Sequence, residues 1–128
     1  MTQPISSFRD LRAYKLAVEL QQMVFELSKT FPREELYSLT DQIRRSSRSI
    51  GANLAEAWHK RRYIAHFASK LTDADGEQAE TQHWIETAAS CNYLSNDRKE
   101  LLLQQYRKLG SMLGNMIASP EKFCSSIN

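Results

Sequence analysis

Turn-forming residues are scarce, with four glycines and three prolines serving all 128 residues. Folds made of many short strands need such residues at every reversal, so a sheet protein is disfavoured. Cysteine is scarcer. Cys91 and Cys124 stand 33 positions apart with no CxxC, which excludes a disulfide framework and a thiolate zinc site. Reduced thiols in the cytoplasm are expected, Cys91 as a small core residue on a helix and Cys124 as an incidental thiol of the tail. No apolar run reaches membrane length and the start lacks the pattern of a signal peptide, so no membrane partner is expected. Excess charge is also missing. A net charge of +2 implies no polyanion by itself, and any case for nucleic acid rests on where the charges sit. There is no glycine-rich phosphate loop and no Ser/His/Asp or Cys/His set at a spacing that brings it together. An enzyme is therefore the least favoured class, and no cofactor is expected.

Leu, Ala, Glu, Gln, Lys and Arg are plentiful, the composition of an all-helical protein, and the length suits one domain over residues 1–128. Apolar residues recur at three-to-four-residue spacing in four segments, predicting helices over about 8–30, 34–58, 63–92 and 96–118 with a short C-terminal tail. Ser7 with Asp10 reads as the cap of the first helix, and Phe31-Pro32 as its end. Glu34 and Glu35 suit the positive start of the second helix, and Ser95-Asn96 caps the fourth. Short links make neighbours antiparallel. The fold class is all-α, an up-down-up-down antiparallel four-helix bundle. The apolar arcs of the first and fourth helices are wider than one bundle seam requires, which predicts self-association through those faces.

The second helix is unusual in its middle. Its buried face reads Leu39, Ile43, Ser46, Ser47, Ile50, Leu54 and Ala57, so large side chains are missing between Ser46 and Ala52. Folding the second and third helices about residues 61 and 62 pairs positions whose numbers sum to about 123. That register sets Ser46, Ser47, Gly51 and Ala52 against Ala74 and Gly76, with Asn53 hydrogen-bonding across the seam.

Phe31-Pro32, Leu36-Tyr37-Ser38-Leu39, Gln42-Ile43-Arg44-Arg45, Ser49-Ile50, Asn53-Leu54-Ala55-Glu56 and Glu80-Thr81-Gln82 before Trp84 carry a resemblance. The chain resembles the small bacterial four-helix-bundle proteins encoded by intervening sequences of large-subunit ribosomal RNA genes, and more distantly the accessory proteins of diversity-generating retroelements. The resemblance runs from Phe8 to about Ile117. Ala57 departs from it, standing where many members carry Gly and stiffening the end of the second helix. It implies a ring, typically a homopentamer, with no established enzymatic activity. For the retroelement relatives it implies a basic surface that binds RNA or DNA and supports a reverse transcriptase.

Three sets of residues are candidates for chemistry. Glu56-x-x-His59 and Glu80-x-x-His83 look like di-iron ligand pairs, but the hairpin register separates Glu56 from Glu80 by roughly 20 Å, too far for one dinuclear site. Arg44, Arg45 and Arg48 fall level with Asp75, Gln78 and Ala79, near Asp73, Glu77 and Glu80, so ion pairing within the subunit or across a ring interface is their favoured use. With Asn53 and Glu56 they form the structural set. Arg9, Arg12 and Lys15 share one end of the bundle with Lys60, Arg61 and Arg62, and the tail returns Lys122 there. Repeated around a ring, that end is a basic rim able to hold a phosphate backbone. Two functions of different class follow: a nucleic-acid-binding oligomer beside a larger machine, or a protein-only scaffold whose charges serve assembly.

Overall fold

The computed structural model describes residues 4–124, so the outermost parts of the polar lead and of the tail lie outside the described residues. Four long helices carry the fold: α1 (Arg12–Ser28), α2 (Leu39–His59), α3 (Ile64–Ser90) and α4 (Asn96–Ala118), followed by one helical turn, α5 (Glu121–Cys124). No strand occurs among the described residues. Side-chain contacts fix the directions. Arg44 meets Ser28 and Phe8 meets His59, Arg45 meets Glu80 and Glu56 meets Lys70, and Glu86 meets Lys99. Each successive pair is thus antiparallel, and α1 closes the bundle against α4 with the thinnest of the four helix–helix interfaces.

The apolar stripes become the core. All seven residues of the α2 face are buried, as are Ala13, Ala17, Leu20, Val24 and Leu27 of α1 and Leu102, Tyr106, Leu109, Leu113 and Met116 of α4. The wider arcs do not close completely, because Met23 and Leu101 remain 47% and 63% exposed.

The helix ends depart from the expected limits through local hydrogen bonds. Ser7 and Asp10 do form a capping box, but around a single 3₁₀ turn, Phe8–Asp10; Leu11 is then extended and buried, and α1 starts at Arg12. α2 starts at Leu39 because Arg33–Glu35 is another 3₁₀ turn. Glu35 still serves the start of α2 from outside it, its carboxylate accepting from the Ser38 hydroxyl at 2.7 Å and the Leu39 amide at 3.4 Å. α3 ends at Ser90 in a Schellman cap, with Asn92 left-handed at φ 64° and the Tyr93 amide donating to Ala88 O at 2.9 Å.

That cap corrects the reading of the cysteines. Cys91 is the C-cap of α3 and exposed, while Cys124 is buried. The α5 turn brings Phe123 against Phe67, ring centroids 5.9 Å apart, and carries Cys124 inward with it.

The seam between α2 and α3 is the most extensive in the bundle, but its register and contents differ from the hairpin estimate. Ser46 accepts a hydrogen bond from Thr81 at 2.8 Å and Glu56 pairs with Lys70 at 2.8 Å, pairs whose numbers sum to 127 and 126. Helical side chains lean toward their own N-terminus, away from the turn on α2 and toward it on α3, so touching residues lie about two positions beyond level ones. Gly51 belongs to a different seam, since a Cβ there would stand 3.5 Å from the Tyr14 ring of α1. Ala52 and Gly76 are exposed. Asn53 bonds within its own helix, to Ser49 O at 3.0 Å and Ser49 Oγ at 3.1 Å, and does not cross the seam.

Candidate nucleic-acid interface

One end of the bundle gathers the 3₁₀ turn before α1, the close of α2, the start of α3 and the α5 turn. Phe8 anchors it, edge-on to Tyr14 at 5.0 Å and 6.4 Å from the His59 ring. Arg9, Arg12, Lys15, Lys60 and Arg62 are exposed there, and among the described residues none of them forms an ion pair. Of the acids at this end, Asp10 and Glu56 have partners of their own, while Glu121 at the start of α5 is exposed. Asp10 accepts from the Ser6 and Ser7 amides at 3.0 and 3.1 Å and from the Ser6 hydroxyl at 3.1 Å, bonds to the charged form that hold its carboxyl below the usual 3.8. The Lys70 ammonium holds Glu56 below its usual 4.5. Arg61 is the exception in the basic set. Its guanidinium lies 3.4 Å from the centre of the Trp58 ring and its Nε donates to Trp58 O at 2.9 Å, closing the end of α2. That gives Arg61 a structural role and leaves its charge uncancelled.

At the opposite end some cations meet acids, while Arg33 and Arg98, like Glu34 and Asp97, form no ion pair among the described residues. Lys29 pairs with Glu26 at 3.2 Å, and Lys99 lies 3.6 Å from Glu100 and 4.0 Å from Glu86. Tyr93 donates to Glu35 at 2.9 Å, which pushes the phenol up to about 12, and the carboxyl is held below its usual 4.5 first by the Ser38 hydroxyl and then by Tyr93.

The arginine row of α2 splits by face. Arg45 turns toward α3, pairing with Glu80 and with Glu77 at 3.2 Å. Glu80 is held below its usual 4.5 first by the Trp84 indole, which donates at 3.0 Å, and then by Arg45. Arg44 and Arg48 do not reach the α3 acids. Their guanidinium carbons sit 4.8 and 5.2 Å from the centre of the Phe25 ring on α1, and Arg44 Nε donates to Ser28 Oγ at 2.7 Å. A step of one residue turns a helix by about 100°, so Arg44 and Arg45 must face different neighbours. Asp75 is likewise displaced from the expected pairing: it accepts from Gln78 Nε2 at 2.9 Å and faces α4 near Gly110.

Two features escaped the sequence pattern. Phe25 collects three cations, since Lys29 Nζ also lies 4.7 Å from its centre. The signal was available as Phe25 and Lys29 on one face of α1, opposite the antiparallel arginine row. Gly110 makes room for Gln78 between α3 and α4, which no spacing rule announces. Among the described residues no group of three or more His, Cys, Asp or Glu is placed to hold a metal ion, and no helix is long and apolar enough to cross a membrane.

Comparison with known proteins bears on this arrangement. No functionally curated protein matches the chain. A solved structure from Bacteroides thetaiotaomicron, described as a protein of unknown function from the S23 ribosomal protein family, is similar at 27% identity with a TM-score of 0.75, covering 83% of this chain and 95% of its own. The model of the 23S rRNA-intervening sequence proteins matches residues 9–115, nearly the whole bundle from the 3₁₀ turn before α1 to the last turn of α4. The chain belongs to the 23S rRNA-intervening sequence protein family.

Proposed function

We propose that this protein is a non-enzymatic oligomer that holds the phosphate backbone of RNA or DNA on its basic end, as an accessory to a larger nucleic-acid machine such as a reverse transcriptase. The observation that carries the reading is an excess of cations: Arg9, Arg12, Lys15, Lys60 and Arg62 stand at one end without an ion pair among the described residues, against the acids Asp10, Glu56 and Glu121, of which Glu56 is paired with Lys70. Exposed cations on a rigid helix end attract phosphates regardless of base, and binding releases condensed counterions. In a ring, each subunit adds the same charges to one rim. The test is binding of a structured RNA and a DNA duplex at about 50 and 200 mM salt, with light scattering on the same samples. Affinity should fall steeply with salt. Replacing Arg12, Lys60 and Arg62 together by Gln should weaken binding to all sequences alike and make the salt slope shallower by about two to three. An unchanged slope, or no binding by the parent at low salt, removes this reading.

A protein-only assembly scaffold is the second reading. It is favoured by Met23 on α1 and Leu101 on α4, large apolar side chains left open to solvent on the two helices that share the thinnest interface. Loss of assembly in Met23→Lys or Leu101→Lys, with no nucleic-acid binding by the parent, is the result that selects it.

A further inference from the structure

On the α1–α2 face, beside the basic end, is a concavity of about 390 Å³ lined by Phe8, Tyr14 and Val18 on one side and by Arg48, Ala52 and Ala55 on the other. Gly51 forms part of its wall, and a Cβ there would already touch Tyr14. No acid lines it. Gln21 contributes an amide at one end, a donor and an acceptor that suit the edge of a heterocycle. Cations bracket it. Arg9 lies over the Phe8 ring at 4.4 Å, and Arg48 continues to Arg44 around Phe25, so positive charge borders the groove in both directions. Arg9, Arg44 and Arg48 form no ion pair among the described residues.

We propose that this concavity receives an unpaired nucleobase, so that the protein prefers single-stranded nucleic acid, with the flanking phosphates on Arg9 and Arg48. The proposal rests on the nucleic-acid reading above and narrows it. A cleft with one aromatic wall, where Phe8 and Tyr14 meet edge to face, offers a flat ring a surface of the kind single-strand binders use for stacking, and cations on its border can track the backbone. A paired base keeps its faces covered by its neighbours, so a duplex gains the phosphate contacts and loses the stacking. Because every base has a π-face, the preference is for strandedness over sequence.

The experiment compares three probes on the parent protein: an oligo-deoxythymidylate of about 12 nucleotides, an abasic strand of the same length, and a duplex of that length. One stacked base corresponds to roughly tenfold in affinity, and the thymidylate should exceed the abasic strand by about that factor. Ala52→Phe fills the concavity from an exposed position and leaves every charge in place. It should remove the difference between the two strands without changing the abasic affinity or the melting temperature. Arg48→Gln should lower affinity for both strands and the salt slope by about one. Equal affinities for the three probes, unaffected by Ala52→Phe, would overturn the base site while leaving phosphate binding at the basic end intact. No binding by the parent to any probe overturns both readings. If Ala52→Phe instead breaks an oligomer and leaves strand affinities alone, the concavity is a contact between copies of this chain and the proposal is wrong.

Discussion

Gly110 offers the sharpest check on how α3 and α4 fit together. It lies inside α4, where Ala is favoured over Gly by about 0.8–1.0 kcal/mol through backbone entropy alone. A Cβ at this position, however, would stand 2.8 Å from Gln78 Nε2 and 3.3 Å from Gln78 Cδ. Gln78 is 8% exposed and central to a relay, accepting from Gln82 Nε2 at 2.7 Å and donating to Asp75 Oδ1 at 2.9 Å. Its amide has to move, which breaks partly buried hydrogen bonds or strains the seam, a cost of about 1–3 kcal/mol. Gly110→Ala should therefore lower stability by up to about 2 kcal/mol, or several degrees in melting temperature for a chain of this size. The sign is expected to reverse when the obstacle is gone. In a Gln78→Ala background the same change should stabilise by about 0.8–1.0 kcal/mol, as Gly114→Ala and Gly76→Ala should in the parent, since a Cβ at either meets nothing within 4 Å. Urea titration of the four corners of the Gln78/Gly110 cycle measures this coupling. The same sign of Gly110→Ala in both backgrounds would refute the proposed contact.

Tyr106 is fully buried with its hydroxyl lacking a hydrogen-bond partner among the described residues, so Tyr106→Phe should be neutral or stabilising by up to about 2 kcal/mol in urea titration; a clear loss would mean the hydroxyl has a partner after all. Arg61→Gln should cost about 1–2 kcal/mol through its lost stacking and hydrogen bond to Trp58, whereas Arg62→Gln should stay within about 0.5 kcal/mol, and equal melts of the two would contradict that division of roles. Asp10, Glu35, Glu56 and Glu80 all sit below their usual 3.8 or 4.5 in the folded chain. A lowered folded value means stability that is fully present above the unfolded value and lost as pH falls through the folded one. Denaturation midpoints should thus hold down to about pH 5 and fall below 4.5. Glu80→Gln should flatten part of that fall, and an unchanged acid limb would mean its ties to Trp84 and Arg45 contribute nothing.

The core was legible because burial imposes a period on sequence. The α2 face and the α4 seam could be named residue by residue, since a stripe at three-to-four-residue spacing has only one way to be hidden in a bundle. Element ends were less legible, because they depend on single hydrogen bonds. Ser7 and Asp10 announced a cap, but nothing in their spacing says whether the capped turn continues into a helix or stops, as it does at Leu11. Cys91 reads as core by composition and emerges exposed because α3 ends one residue before it in a left-handed cap at Asn92. The small-residue stretch of α2 was read as one surface when it is two, Ser46 meeting Thr81 of α3 and Gly51 meeting Tyr14 of α1.

Charge was the least legible quantity, because sequence counts cations and function depends on which of them are free. Arg44, Arg45 and Arg48 are chemically identical neighbours, yet only Arg45 meets acids, while the other two lie over an aromatic ring that leaves their charge uncancelled. Arg61 and Arg62 are adjacent, and only Arg61 is tied to Trp58. A ring quadrupole attracts a guanidinium without neutralising it, so a cation held on Phe8 or Phe25 is positioned and still available to a phosphate. An acid at the same distance positions the cation and removes its charge from the surface field. Part of the free charge of this bundle therefore lies on aromatic residues, Arg9 on Phe8 and Arg44 and Arg48 on Phe25, and it borders a concavity whose lining holds two aromatic rings and no acid.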